Sequence, residues 1–327
     1  MRKTLVILLL ALGSVVTAQQ MPQFRQFILA PSVYNPAAMA FNKQSSISLS
    51  GRWQMSGFGY EPRTLVLHGQ TLLKKKVKTV FNPGSRIQRD YSPVEKNKKI
   101  ALRHFLGGQV VSDNYGAFRF LDINGNYALN VPITADWKGT FGVRAGIRNN
   151  TFIASQGVVL NVLDPQLVYA GGDETYDAFL NGNQQSLSFS GAIGLGLNNK
   201  RWFFSASMMH GGVPNAGQKT ISYFDPRIHW NASLGYHIPV SSGLEIHPAL
   251  LVKKMGPAPY SFEFSTLATI NYIFWAGFNY HHGSSAGIMA GMEVSGNLKI
   301  GYALDFITNR LNQFSNGGHE IFLSYGF

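Results

Sequence analysis

The feature that most constrains this chain is an alternation of apolar and polar residues with period two, held over segments of about ten residues and repeated along most of its length. In 137–148, Trp137, Phe141, Val143, Ala145 and Ile147 share one face, while Lys138, Thr140, Arg144 and Arg148 share the other. In 187–198, Leu187, Phe189, Ile193, Leu195 and Leu197 oppose Ser188, Ser190, Gly194 and Asn198, and Leu298 to Phe306 repeats the scheme. Period two means strands with two different environments. About ten residues is the length a tilted strand needs to cross the hydrocarbon of a bilayer.

Helical crossing is excluded. The longest apolar run, Leu5 to Val16, covers about 12 residues, whereas a spanning helix needs about 20. That run follows Arg2 and Lys3 and precedes Val16-Thr17-Ala18, the pattern of a cleaved signal peptide over 1–18 with a mature start near Gln19. Charged residues make up 13% of the chain, about half the usual share for soluble domains, which is too little to cover a soluble protein of this size. With no cysteine, disulfides, thiolate metal sites, thiol catalysis and a lipid-bearing cysteine are excluded as well. The expected fold is all-β: a transmembrane outer-membrane β-barrel of about 14 antiparallel strands.

The expected strands are 44–55, 62–73, 100–112, 115–131, 136–149, 185–198, 200–210, 227–239, 243–254, 260–271, 273–282, 285–295, 297–307 and 318–327. Short turns at Thr134-Ala135, Asn198-Asn199-Lys200, Val240-Ser241-Ser242 and Ser295-Gly296-Asn297 alternate with longer links at 150–184, 211–226, 255–259 and 308–317. In bacterial barrels the short turns are periplasmic. The last strand alternates through Ile321, Leu323, Tyr325 and the terminal Phe327, as a strand that closes the sheet does.

Two segments depart from the barrel pattern. The leader 19–42 carries Phe24, Phe27, Ile28, Val33 and Tyr34 without strand periodicity, and an exposed apolar patch of that size is unusual. It reads as a plug, a periplasmic brace or a flexible lead-in. The barrel itself is expected over 43–327. Segment 74–99 holds nine basic residues against Asp90 and Glu95 and falls on the short-turn side. It is either a solvated loop or a contact for an acidic partner or anionic headgroups, anchored by Lys74, Lys75, Lys76, Lys98 and Lys99.

The mature start, Gln19 to Phe27, followed by Pro31 and Tyr34-Asn35-Pro36-Ala37, resembles the opening of the PorP/SprF family of outer-membrane proteins. Arg52-Trp53-Gln54, Gly57-Phe58, Pro62-Arg63-Thr64, Gly107-Gly108 and Ser112-Asp113 are similar to its next blocks. Gly301-Tyr302 through Asp305, Gly318-His319-Glu320-Ile321 and Leu323-Ser324-Tyr325 with Phe327 fit its closing strands. The resemblance implies a non-enzymatic barrel of the type IX secretion and gliding apparatus. Its partners would be secreted cargo proteins, periplasmic apparatus components and outer-membrane lipid, with no nucleic acid and no cofactor. In this reading Phe24, Phe27, Tyr34, Asn35, Pro36 and the five anchoring lysines are candidate partner contacts. The alternative is a porin-like channel, whose lumen lined by Lys138, Arg144, Arg148 and Lys299 would favour anions.

Other motifs carry less. Asn35-Pro36-Ala37 matches a half-helix cap of helical water channels, which this chain has no helices to build. Asp164, Asp173, Glu174 and Asp177 cluster without an EF-hand spacing. His281-His282 reads as a surface pair at an outer turn, with no further ligand at metal spacing. His210, His229, His319 and Glu320 lie on different expected strands or rims with no nucleophile motif, so an enzyme is not expected.

Overall fold

A computed structural model describes residues 24–42, 44–57, 61–73, 102–153, 156, 184–214 and 228–327. The expected signal peptide over 1–18, the basic segment with Lys74, Lys75, Lys76, Lys98 and Lys99, and the acidic cluster of 164–177 lie outside these residues. Among them, no helix is long and apolar enough to cross a membrane.

The wall consists of β1 (Ser46–Trp53), β2 (Arg63–Leu73), β3 (Arg103–Tyr115), β4 (Phe118–Pro132), β5 (Lys138–Phe152), β6 (Gln184–Asn198), β7 (Trp202–Pro214), β8 (Ile228–Tyr236), β9 (Ile238–Ser241), β10 (Leu244–Met255), β11 (Ser261–Ile270), β12 (Phe274–His281), β13 (Ser285–Glu293), β14 (Leu298–Ile307) and β15 (Gly318–Gly326). β8 and β9 are one crossing interrupted at His237, and both pair with β10. The result is a closed barrel of 14 antiparallel strands. β15 closes it against β1, from Ser46↔Gly326 to Trp53↔His319. Closure matters because a free edge in lipid would leave a row of unpaired N–H and C=O groups.

The alternation has a direct physical cause. Leu187, Phe189, Ile193 and Leu195 are exposed on the outside of β6, as are Ile321 and Tyr325 on β15, while Ser188, Ser190, Thr140, Arg144, Asn126 and Asp305 are buried inside. Lipid takes one row and the lumen takes the other. Aromatic rings collect near the strand ends. Trp202 packs on Tyr236, centroids 4.2 Å apart, near the end that carries Ser46 and Gly326. Tyr260 and Phe262 lie 6.3 Å apart at the opposite end. Such belts sit at the two headgroup levels.

The expected turn near 113–114 is displaced. Ser112, Asp113 and Asn114 are turn-forming types, yet they continue β3 and pair with Leu121, Phe120 and Arg119. Thr64 Oγ1 donates to Asp113 Oδ1 at 2.6 Å, which satisfies the carboxylate inside the sheet. The chain reverses instead at Gly116, whose φ of +58° suits glycine. This link and the one at 282–284 are as short as the turns at the other end, so not every second connection is long.

Candidate functional site: the leader within the barrel

Residues 24–42 fold into two short 3-10 turns, Pro31–Val33 and Pro36–Ala40. Proline opens each one, where its missing N–H costs nothing and its fixed φ is already helical. Asn35 caps the second turn by accepting from Ala37 N at 2.8 Å. Tyr34 Oη accepts from Phe24 N at 2.7 Å and folds the leader back on itself. These contacts draw the leader into one compact unit.

The wall then buries it. Phe24, Phe27, Ala30, Val33 and Tyr34 pack with Val66, Val111, Ala249, Leu251 and Phe322, which belong to β2, β3, β10 and β15. Met39 and Ala40 pack with Phe105 and Ala128 from β3 and β4. These inward apolar side chains break the polar inner row wherever the leader lies against it. Each large one contributes about 1.5–3 kcal/mol when removed from water.

Glycines make the groove. A Cβ at Gly142 would overlap the backbone of Pro36 and Ala37, one at Gly194 would overlap Asn35 Oδ1, and one at Gly107 would fall 2.6 Å from Met39 Sδ. Against these bare positions the backbone of the leader is held by inward polar groups. Arg144 Nη1 donates to Val33 O at 3.0 Å and its Nη2 reaches Ser32 O, with its Nε fixed on Asn126 at 2.7 Å. Asn35 Nδ2 donates to Leu195 O and Ala206 O at 3.0 and 3.1 Å. Ser207 Oγ donates to Tyr34 O at 2.7 Å, and Gln70 Nε2 to Met39 O at 3.2 Å. Replacing Asn35 by alanine removes both the cap and its two carbonyl contacts. A loss of about 1–2 kcal/mol is expected, read as a lower urea midpoint at unchanged slope.

At the other end of the leader sits a buried ionic lock. Arg25 Nη2 lies 2.7 Å from Asp305 Oδ2 and also contacts Ser285 Oγ, and its Nη1 is 3.7 Å from Glu263. Arg52 shares Asp305 at 2.8 Å, and Lys253 pairs with Glu263 at 3.2 Å. Glu320 accepts the backbone N–H groups of Arg25 and Gln26 at 2.6 and 2.9 Å. Three cations thus meet three anions, which is the condition for burying charge at tolerable cost. Burial opposes the charge on Arg25, but Glu263, Asp305 and Glu320 outweigh it and raise its pKa. Burial, helped by Glu263, likewise pushes the Tyr34 phenol up, so it stays neutral.

The leader therefore crosses the interior obliquely. Arg25 meets Ser285 and Asp305 near the far ends of β13 and β14. Asn35 and Ala37 meet Gly194 and Gly142 in the halves of β6 and β5 that are nearer the termini.

Comparison with known proteins places this arrangement. Residues 16–325 match the family described as type IX secretion system membrane protein PorP/SprF. The chain belongs to the PorP/SprF family. It is a bacterial outer-membrane barrel and a membrane component of type IX secretion. No curated protein matches the chain. Solved structures similar to it include a Pseudomonas aeruginosa FadL homologue, at 11% identity over 91% of this chain and 93% of that one with a TM-score of 0.48. The Ralstonia pickettii toluene transporter TbuX is similar at 12% identity, 91% and 92% coverage and a TM-score of 0.47. The Pseudomonas putida toluene transporter TodX is similar at 9%, 90% and 92%, and 0.45.

In this PorP/SprF barrel Phe24, Phe27, Tyr34, Asn35 and Pro36 all come together inside the wall. The four cations expected along the lumen do not act as one set. Arg144 holds the leader, and Arg148 pairs with Asp122 at 2.6 Å. Lys138 begins β5 at the end that carries Ser46 and Gly326, and Lys299, 43% exposed, pairs with Glu293 at that end at 3.4 Å. Ile321, Leu323 and Tyr325 lie on the closing strand, with Phe327 just beyond it. His281 is not a surface residue: it is buried, and its Nε2 bonds Ser261 Oγ at 2.8 Å.

The lock was missed as a site. Arg25, Arg52, Asp305 and Glu320 stand within the resemblance blocks, but nothing in their spacing joins them. The available signal was inward charge on short strands: Lys253, Glu263, Asp305 and Glu320 all occupy inner-row positions.

Proposed function

We propose that this barrel works as a plugged docking component of the secretion apparatus, assisting export or surface retention of cargo through protein contacts rather than by passing small solutes. The observation that carries the reading is the leader. It occupies the interior, and it engages Arg144, the central cation of the expected anion path, through its own carbonyls. On this reading the loops at 150–184 and 211–226 meet cargo outside. The basic segment 74–99 meets acidic apparatus components or anionic headgroups on the periplasmic side, through Lys74, Lys75, Lys76, Lys98 and Lys99.

Affinity purification from membranes tests it. Secreted adhesin-type proteins or periplasmic ring components are expected to co-purify, and changing the five lysines to glutamate is expected to remove the periplasmic ones. Steady anion-selective conductance of the intact protein in planar bilayers, with no such partners recovered, would favour the porin instead.

A further inference from the structure

The interruption between β8 and β9 places His237 on the inner row, directly across from His247 on β10, and Glu245 stands two residues before His247 on the same row. The two imidazoles face each other, with ring centroids 4.6 Å apart and their Nδ1 atoms 3.1 Å apart. Their Nε2 atoms flank one carboxylate. His237 Nε2 is 3.5 Å from Glu245 Oε1, and His247 Nε2 is 3.7 Å from Glu245 Oε2. Each of the three residues offers a ligand atom within 4.8 Å of the others.

We infer that this cluster is a binding site for one divalent cation of the zinc class, at the periplasmic mouth of the barrel. Two imidazole nitrogens and a carboxylate oxygen form a three-ligand set that leaves a fourth position for water or another donor. A tetrahedral ion with ligands at about 2.0–2.1 Å sets its donor atoms about 3.3 Å apart. One donor atom from each of the three side chains already lies within 4.8 Å of the other two, so side-chain rotation alone can bring the set together around an ion. Imidazole donors select zinc, nickel or copper over magnesium and calcium. Tyr272 Oη donates to Glu245 Oε1 at 3.3 Å and steadies the carboxylate from outside the ligand set. The side chains are 19–30% exposed, open enough for an ion to enter. Bound there, the ion ties the β9–β10 hairpin across the point where the strand is broken.

Protein prepared without a histidine tag and stripped with chelator is titrated with zinc chloride by calorimetry. The wild type is expected to bind one equivalent saturably and to melt at a higher temperature in the presence of zinc. The His237→Ala/His247→Ala variant is expected to lose both effects. Glu245→Gln, which keeps shape and leaves the fold intact, is expected to weaken binding at least tenfold. No saturable binding by the wild type, or the same isotherm from wild type and both variants, overturns the site.

Discussion

Replacing Asp305 by alanine is expected to destabilise the barrel by about 3–5 kcal/mol and to free the leader. Asp305 Oδ2 is the shared acceptor of Arg25 and Arg52, and all three side chains are at most 8% exposed. Screening by solvent is small at that burial, so the estimate for breaking a buried pair applies with little discount. Without the carboxylate, two guanidinium groups face each other in the interior with one anion fewer. The measurements are the urea midpoint and tryptic cleavage after Arg25, followed by mass spectrometry of the N-terminal fragments. Asp305→Asn keeps the shape and one acceptor oxygen and is expected to lose less. A variant that melts like the wild type, with Arg25 still protected, would remove the lock from the account.

Gly142→Val is the second large effect, and it acts by volume rather than charge. The new Cβ would fall on the Ala37 amide and 2.7 Å from Ala37 Cα. These are backbone atoms and cannot swing aside as a side chain would. Overpacking usually costs about 1–3 kcal/mol, but here relief comes by moving the whole second turn off the wall. Asn35 and Arg144 then lose their partners as well. The expected result is a displaced leader, seen as protease sensitivity near residues 35–40 and as conductance above that of the wild type. Gly125→Ala is the matched control, because its Cβ meets nothing nearer than Ala145 O at 4.0 Å. Equal behaviour of the two variants would argue that the groove does not seat the leader.

How much of this was legible in the sequence follows from the range of the interactions. The staves were legible because lipid and lumen impose opposite demands on successive residues, and residues such as Phe141 and Arg144 obey them locally. The turn at Gly116 was misplaced because Asp113 finds Thr64 on a strand some 50 residues earlier (the pair is 49 apart), a partner local rules do not see. The leader was legible as an apolar segment in need of burial, but the wall that takes it was not. Its receptors are exceptions to the alternation, such as Val66, Phe105 and Leu251, and single exceptions look like noise. The lock was hidden further, since Arg25 and Asp305 are 280 residues apart. The histidine site lay closer to hand. A hairpin centred on the expected turn at Val240-Ser241-Ser242 sets His237 opposite Glu245, one same-row position from His247, and the observed register, shifted at Leu244/Glu245, brings it across from His247 itself.

The position of the lock also dictates an order of assembly. Arg52 on β1 shares Asp305 of β14 with Arg25, so the lock reaches across the seam at which the sheet joins itself. Neighbouring hairpins form from contacts close in sequence, whereas the seam must bring the two ends of the wall together, the slowest kind of contact to make. Phe24 to Tyr34 can find their full set of neighbours, Val66 and Val111 on one side and Leu251 and Phe322 on the other, only after β15 has paired with β1. A seated leader is then a record that insertion has finished, and an incompletely zipped barrel would leave Phe24 to Tyr34 on display to whatever surveys the periplasm for unfinished chains.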